Sequence, residues 1–142
     1  MLRGEVHDEN CAALGGVGGH AGLFGTARGV AVFGRWLLDN LKGRSTLLVP
    51  QALLRKSLEP QPGGTHRIGW DAKSEGESLA GRRLSAGSFG HWGFTGTSLW
   101  CDPERDLVIA LLTNRVHPCR ANQKIRGFRP AFHDAIVAAF DR

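Results

Sequence analysis

Two apolar stretches, Thr97–Cys101 and Leu107–Thr113, face each other across Asp102-Pro103-Glu104-Arg105-Asp106, and this pairing limits the fold more than any other feature. Aspartate at the first turn position and proline at the second favour a type I turn, so the two stretches read as an antiparallel hairpin. Leu107–Leu112 is almost wholly apolar, and a strand of that kind must be covered on both faces. Helical periods on either side can supply the covers. Val30, Phe33, Leu37 and Leu41 recur at helical spacing, with Thr26 as N-cap and Gly43 just past the end. A second helix is expected with Pro50 in its first turn and Leu53, Leu54 and Leu58 on its apolar side, stopped by Pro60, Pro62, Gly63 and Gly64. Strands are expected at His66–Asp71, around Ile68 and Trp70, and at Ser88–His91, with Lys73–Arg83 as the loop between them. A last helix is expected to start at Pro130 and to bury Phe132, Ile136, Ala139 and Phe140. The order is α+β: an antiparallel sheet covered by a C-terminal helix and preceded by two helices. At 142 residues the chain reads as one domain, with a glycine-rich and helical part at 1–62 and the sheet with its last helix at 63–142.

Composition removes several function classes. Lys plus Arg is 18 against 13 for Asp plus Glu, a net charge of +5, but the cations are scattered and no block reaches five like charges. Nucleic-acid binding needs a clustered basic footprint, so none is expected. The apolar runs are far too short to cross a bilayer, and Leu2, Arg3, Gly4 and Glu5 do not begin a secretory signal. As it stands the chain reads as cytoplasmic. Three cysteines without a C-x-x-C spacing read as free thiols. A zinc site from Cys101, His117 and Cys119 lacks a fourth ligand of recognisable spacing, so no metal and no cofactor is expected.

Three segments could carry chemistry. Gly15-Gly16-Val17-Gly18-Gly19-His20-Ala21-Gly22 precedes a helix, but no Lys-Ser or Lys-Thr follows and no strand feeds it. It is neither a P-loop nor a dinucleotide fingerprint, and reads as a tight loop where backbone packs on backbone. Val6-His7-Asp8-Glu9-Asn10 could offer acid, base or ligand groups, against a solvated loop as the plainer reading. Gly90-His91-Trp92-Gly93-Phe94-Thr95-Gly96-Thr97-Ser98 sits between two strands, and its glycines allow close approach of a ligand or of another backbone. Backbone N–H groups in such a turn can bind an oxyanion.

The last segment, followed by Leu99-Trp100-x-Asp102-Pro103-Glu104 and Leu107-Val108-Ile109-Ala110-Leu111-Leu112-Thr113-Asn114-Arg115, resembles the C-terminal sheet of the serine β-lactamase-like hydrolases. That family includes class C β-lactamases, penicillin-binding proteins and related esterases. His91-Trp92-Gly93 sits where the family has Lys-Thr-Gly, or His-x-Gly in esterase-like branches. Gly22-Leu23-Phe24-Gly25-Thr26-Ala27-x-x-Val30-Ala31-x-Phe33 is similar to the family's Gly-Leu-x-Ser-Thr-Ala-x-Asp-x-Ala-x-Phe segment, and Val6–Asn10 resembles the loop before it. The resemblance implies the C-terminal part of the β-lactamase/penicillin-binding-protein fold. It implies His91 as a polar catalytic partner and the Phe94 backbone N–H as an oxyanion donor. Trp92, Gly93, Thr95, Asn114 and His7 would line the substrate site, and full-length relatives are often exported.

The departures are as specific as the match. None of Ser45, Ser57, Ser74, Ser78, Ser85, Ser88 and Ser98 has lysine three residues later, so the family's Ser-x-x-Lys nucleophile motif is not in this chain. There is no tyrosine, and no asparagine has serine two residues before it, so the Tyr-x-Asn or Ser-x-Asn motif is not there either. Trp92 replaces threonine or serine, Gly25 serine and Gly29 aspartate. The expected function is therefore the C-terminal portion of a serine hydrolase that cleaves ester or amide bonds through an acyl-enzyme, inactive by itself. Its partners would be a small ester, amide or cell-wall peptide substrate and the N-terminal half of the domain. The alternative is an inactive remnant or binding module of the same fold. Alone, the chain should expose apolar surface where N-terminal segments pack in the family. At the corner, His91 and Gly93 should share a pleat face, with Gly93 leaving open space beside the His91 ring.

Overall fold

The computed structural model describes residues 2–45 and 49–142. Its centre is a four-stranded antiparallel sheet in the order β1-β2-β3-β4: β1 Asp71–Ala72, β2 Phe89–Trp92, β3 Ser98–Asp102 and β4 Leu107–Leu111. The β3–β4 hairpin forms as its turn residues dictate. Asp102 Oδ1 accepts from the Glu104 and Arg105 N–H groups, and Asp106 closes the turn at φ 55°. The register pairs Trp100 with Ile109 and Cys101 with Val108.

Both faces of the sheet are covered. On one lies α2, Ala27–Leu41, whose N-cap Thr26 accepts from the Gly29 N–H at 3.1 Å. Gly34 is the point of closest approach: a Cβ there would stand 2.6 Å from Val108 Cγ1. Leu37 and Leu38 from α2, Leu54 from α3 (Gln51–Ser57), Phe89 and Cys101 form an apolar cluster on this side. On the other lies α4, Ile125–Phe140, whose Val137 packs with Trp100, Ile109, Ala80 and Leu84.

Four local expectations are corrected. Three helices rather than two precede the sheet, because Asp8 caps a short α1, Glu9–Ala13, by accepting from the Cys11 N–H at 2.8 Å. His66–Asp71 is a turn closed by Arg67 N–H to Trp70 O and a single His66–Asp71 bridge, with Ile68 exposed and only Asp71–Ala72 in the sheet. Phe33 and Leu53 are exposed, and Gly34 and Leu38 carry the buried side of α2 instead. Pro130 lies inside α4, which begins at Ile125; the ring forgoes one hydrogen bond to the Arg126 carbonyl and the helix runs through it.

The fourth correction extends to the face of α4. It buries Ile125, Arg129, His133 and Val137; of the expected stripe Phe132 packs half-buried against the core, while Ile136, Ala139 and Phe140 are exposed. The glycine-rich loop packs backbone on backbone as expected: Gly22, at φ 107°, has its Cβ position filled by the Gly16 carbonyl. Among the described residues, no helix is long and apolar enough to cross a membrane.

Candidate functional site

The strand pairing sets up the corner after β2. Register places Trp92 opposite Ser98 and His91 opposite Leu99. Successive residues point to opposite faces, so Trp92 shares the α4 face with Ser98 and Trp100, and His91 shares the α2 face with Phe89 and Leu99. Gly93 to Gly96 then form a tight turn, closed by the Gly96 N–H to Gly93 O at 3.1 Å and the Gly93 N–H to Thr97 O at 2.8 Å. Gly96 stands at φ 109°, where its missing Cβ leaves room for the Thr113 hydroxyl. The expected open space beside Gly93 is not found. A Cβ there would strike the Thr97 hydroxyl, because the tight turn folds Thr97 back over it.

The carbonyls of this turn are claimed one by one. Thr113 Oγ1–H donates to Gly96 O at 2.6 Å, Arg115 N–H to Thr95 O at 2.9 Å, and Arg115 Nε–H to Phe94 O at 2.7 Å. Arg129 Nη2 donates to both Gly93 O, at 2.5 Å, and Thr97 O, at 3.0 Å. No hydrogen bond among the described residues comes from the Phe94 N–H, which lies on an exposed turn. An uncommitted N–H of this kind can receive a carbonyl oxygen on which charge develops.

His91 is exposed, and its Nδ1 lies 2.9 Å from Trp92 O. A carbonyl can only accept, so Nδ1 is the donor and the Nε2 lone pair of the neutral ring stays available. The Phe94 ring is held from two sides. His7 stacks on it at 5.9 Å between ring centroids, and the Arg115 guanidinium lies 4.1 Å from its centroid, with Arg120 at 5.1 Å. His7, Trp92, Gly93, Phe94 and Thr95 are therefore gathered at the corner. Asn114 is exposed on the segment after β4, beside Arg115 in sequence. Asp8 pairs with His20 at 2.9 Å and Glu9 with Arg120, so those two carboxylates are engaged in holding the N-terminal segment. Cys101 is buried under α2, whereas Cys119 is exposed. Among the described residues no group of three or more His, Cys, Asp or Glu is placed to hold a metal ion.

Buried polar groups behind the corner were not singled out from the sequence. Arg129 is 2% exposed; burial first, and then the Arg115 charge, pull its guanidinium below the ordinary range. His133 is fully buried, and burial lowers its pKa despite the carbonyl it faces. Its Nδ1 lies 3.0 Å from Leu79 O and must donate, so Nε2 accepts from Ser98 Oγ–H at 3.0 Å. Burial pushes Asp102 up, but the Ser85 and Arg105 N–H groups, the Ser85 side chain and the Arg105 charge outweigh it and hold the carboxyl below its usual range. Arg115 was visible as the end of the Leu-Thr-Asn-Arg run, but nothing in the local sequence marks Arg129 or His133.

Comparison with known proteins agrees with this fold. The Beta-lactamase family model matches residues 2–129. An N-acetylmuramyl-L-alanine amidase of Bacillus subtilis (strain 168) is 37% identical over 120 residues, covering 82% of this chain and 27% of that protein. A Salmonella gallinarum protein whose name proposes a D-alanyl-D-alanine carboxypeptidase is 36% identical over 132 residues, covering 87% of this chain and 30% of its own length. The chain thus spans about three tenths of the curated relatives it matches. The crystal structure of a β-lactamase from Mycobacterium bovis superposes with a TM-score of 0.66 at 28% identity, over 92% of this chain and 53% of that one. With its sheet, its covering helices and its His-Trp-Gly corner in the expected order, this chain belongs to the Beta-lactamase family, the serine β-lactamase-like hydrolases.

Proposed function

We propose that the chain is the C-terminal portion of a serine hydrolase domain, and that it contributes one wall of an acyl-transfer site. The observation that carries this is the Phe94 N–H, without an acceptor among the described residues, on a turn whose carbonyls are otherwise engaged and close in sequence to the exposed His91. In this reading a serine from the N-terminal half attacks an ester or amide carbonyl. The carbonyl oxygen gains charge and is received by the Phe94 N–H. The bond to the ester alcohol or amide amine then breaks, and that group leaves with the proton given up by the serine hydroxyl. The acyl group stays on the serine until water attacks it, releasing the acid and restoring the hydroxyl. The His91 Nε2 lone pair accepts a hydrogen bond from substrate or from the attacking hydroxyl. Trp92, Gly93, Thr95, Asn114 and His7 line the substrate side. Trp92 brings no hydroxyl to the place where the family has one, so binding there relies on ring contact rather than on a hydroxyl donor. The names of the relatives point to a cell-wall peptide bearing alanine as the substrate class.

The test is reconstitution. The 142-residue chain alone should hydrolyse neither nitrocefin, a p-nitrophenyl ester nor a D-alanyl-D-alanine peptide above background. Addition of a polypeptide carrying Ser-x-x-Lys and Tyr-x-Asn from a relative should restore turnover, and His91→Ala should then lower it by about two orders of magnitude or more. Turnover by the chain alone that is lost on changing one of its serines would overturn the proposal. Binding of a peptide by the reconstituted pair without any hydrolysis would favour an inactive binding module instead.

A further inference from the structure

Arg129 is a cation in the wrong surroundings. It is 2% exposed, no carboxylate pairs with it among the described residues, and its Nε is buried without a hydrogen-bond partner. A buried charge so placed is costly unless strong acceptors meet it. What it meets is the corner: Gly93 O at 2.5 Å, Thr97 O at 3.0 Å and the Trp92 ring, whose centroid lies 5.4 Å from its guanidinium carbon.

The peptide unit explains what this arrangement does. The Gly93 C=O and the Phe94 N–H belong to one planar trans amide, so they point in opposite directions. Fixing the carbonyl on Arg129 turns the N–H of the same peptide unit away from Arg129. The next carbonyl, Phe94 O, is taken by Arg115, so the following peptide plane is fixed as well.

We propose that Arg129 is a positioning residue that sets the orientation of the Phe94 N–H by drawing the Gly93 and Thr97 carbonyls onto one guanidinium. Its catalytic purpose rests on the proposed role of Phe94; the positioning itself does not. A lysine at 129 keeps a charged donor on a slightly shorter side chain, whereas methionine fills much of the space and offers none.

Amide hydrogen exchange on the 142-residue chain tests this, with Arg129→Met and Arg129→Lys compared to the wild type. In Arg129→Met, the Gly93 and Gly96 amides should exchange at least tenfold faster and the Phe94 resonance should shift, while the Trp100 and Ile109 ladder amides keep their protection. Arg129→Lys should recover most of the loss. Unchanged Gly93 and Gly96 exchange, equal acceleration across the ladder, or no recovery with lysine would each overturn the proposal. If Arg129→Met does not fold, the wild-type guanidinium decides. Resolved Nη2 protons at neutral pH, with contacts to the Gly93 and Thr97 α-protons, support it, and a freely exchanging guanidinium overturns it. None of these readouts requires turnover, so failure of reconstitution would leave them standing.

Discussion

The two faces of the sheet are built on different physics. Under α2 the buried cluster is apolar: Leu37, Leu38, Leu54, Phe89 and Cys101, with Gly34 letting the helix backbone come close to Val108, while the ion pair from Arg35 to Asp106 is part-exposed. Under α4 the apolar residues Trp100, Ile109 and Val137 share the interior with Arg129, His133, Ser98 and Asp102, all buried. Apolar burial is strong but non-directional, so it fixes how close α2 lies more than where each group points. Hydrogen bonds between buried groups add less net stability and are demanding in direction. The α2 face is therefore suited to holding the sheet, and the α4 face to placing the corner.

The largest expected effect tests the α2 side. Leu38→Ala removes a fully buried side chain and should cost about 2–5 kcal/mol in a denaturant titration. A loss no greater than that of a hydrogen-bond deletion on the α4 side would break the comparison. That deletion is Ser98→Ala, which leaves His133 Nε2 without its donor and should cost about 1–3 kcal/mol. Beyond stability, it should also shift the resonances of residues 93–97.

Acid sharpens the contrast further. His133 is held neutral by burial, so it binds a proton less readily in the folded than in the unfolded chain. As pH falls below about 6.5, its ordinary value, the unfolded state takes up more protons and stability declines. The melting temperature should therefore drop between pH 7 and 5, with a shallower slope in His133→Gln. An unchanged slope would remove His133 from the account. The smallest effect is chemical: burial pushes the Cys101 thiol up to about 12, and Cys11 is also buried, so a thiol reagent should label Cys119 alone in the native chain. Rapid labelling of Cys101 would show that the α2 face opens.

Much of the frame was legible from residues. Thr26 and the period after it gave α2, Pro50 and the leucines gave α3, and Asp102-Pro103 gave the hairpin, because caps, periods and turns act over a few residues. The corner was legible as a glycine pattern and a resemblance, although the reason for Gly93 was not. Its neighbour is the Thr97 hydroxyl, brought there only once the turn closes.

The last helix marks the limit. Phe132, Ile136, Ala139 and Phe140 recur at helical spacing, and by period alone that stripe belongs inside, yet of the four only Phe132 packs against the core. The fold instead turns Arg129 and His133 inward, because Gly93 O, Thr97 O, Leu79 O and Ser98 wait there as partners from distant parts of the chain. Periodicity records how apolar a face is, not which acceptors will meet it. The sequence by itself determined α2, α3, the hairpin and the family, but not α1, the turn at 66–71 or the start of α4. Which side of α4 faces the sheet, and hence what holds the Phe94 turn, was decided by hydrogen bonds between residues more than thirty positions apart, which exist only in the tertiary structure.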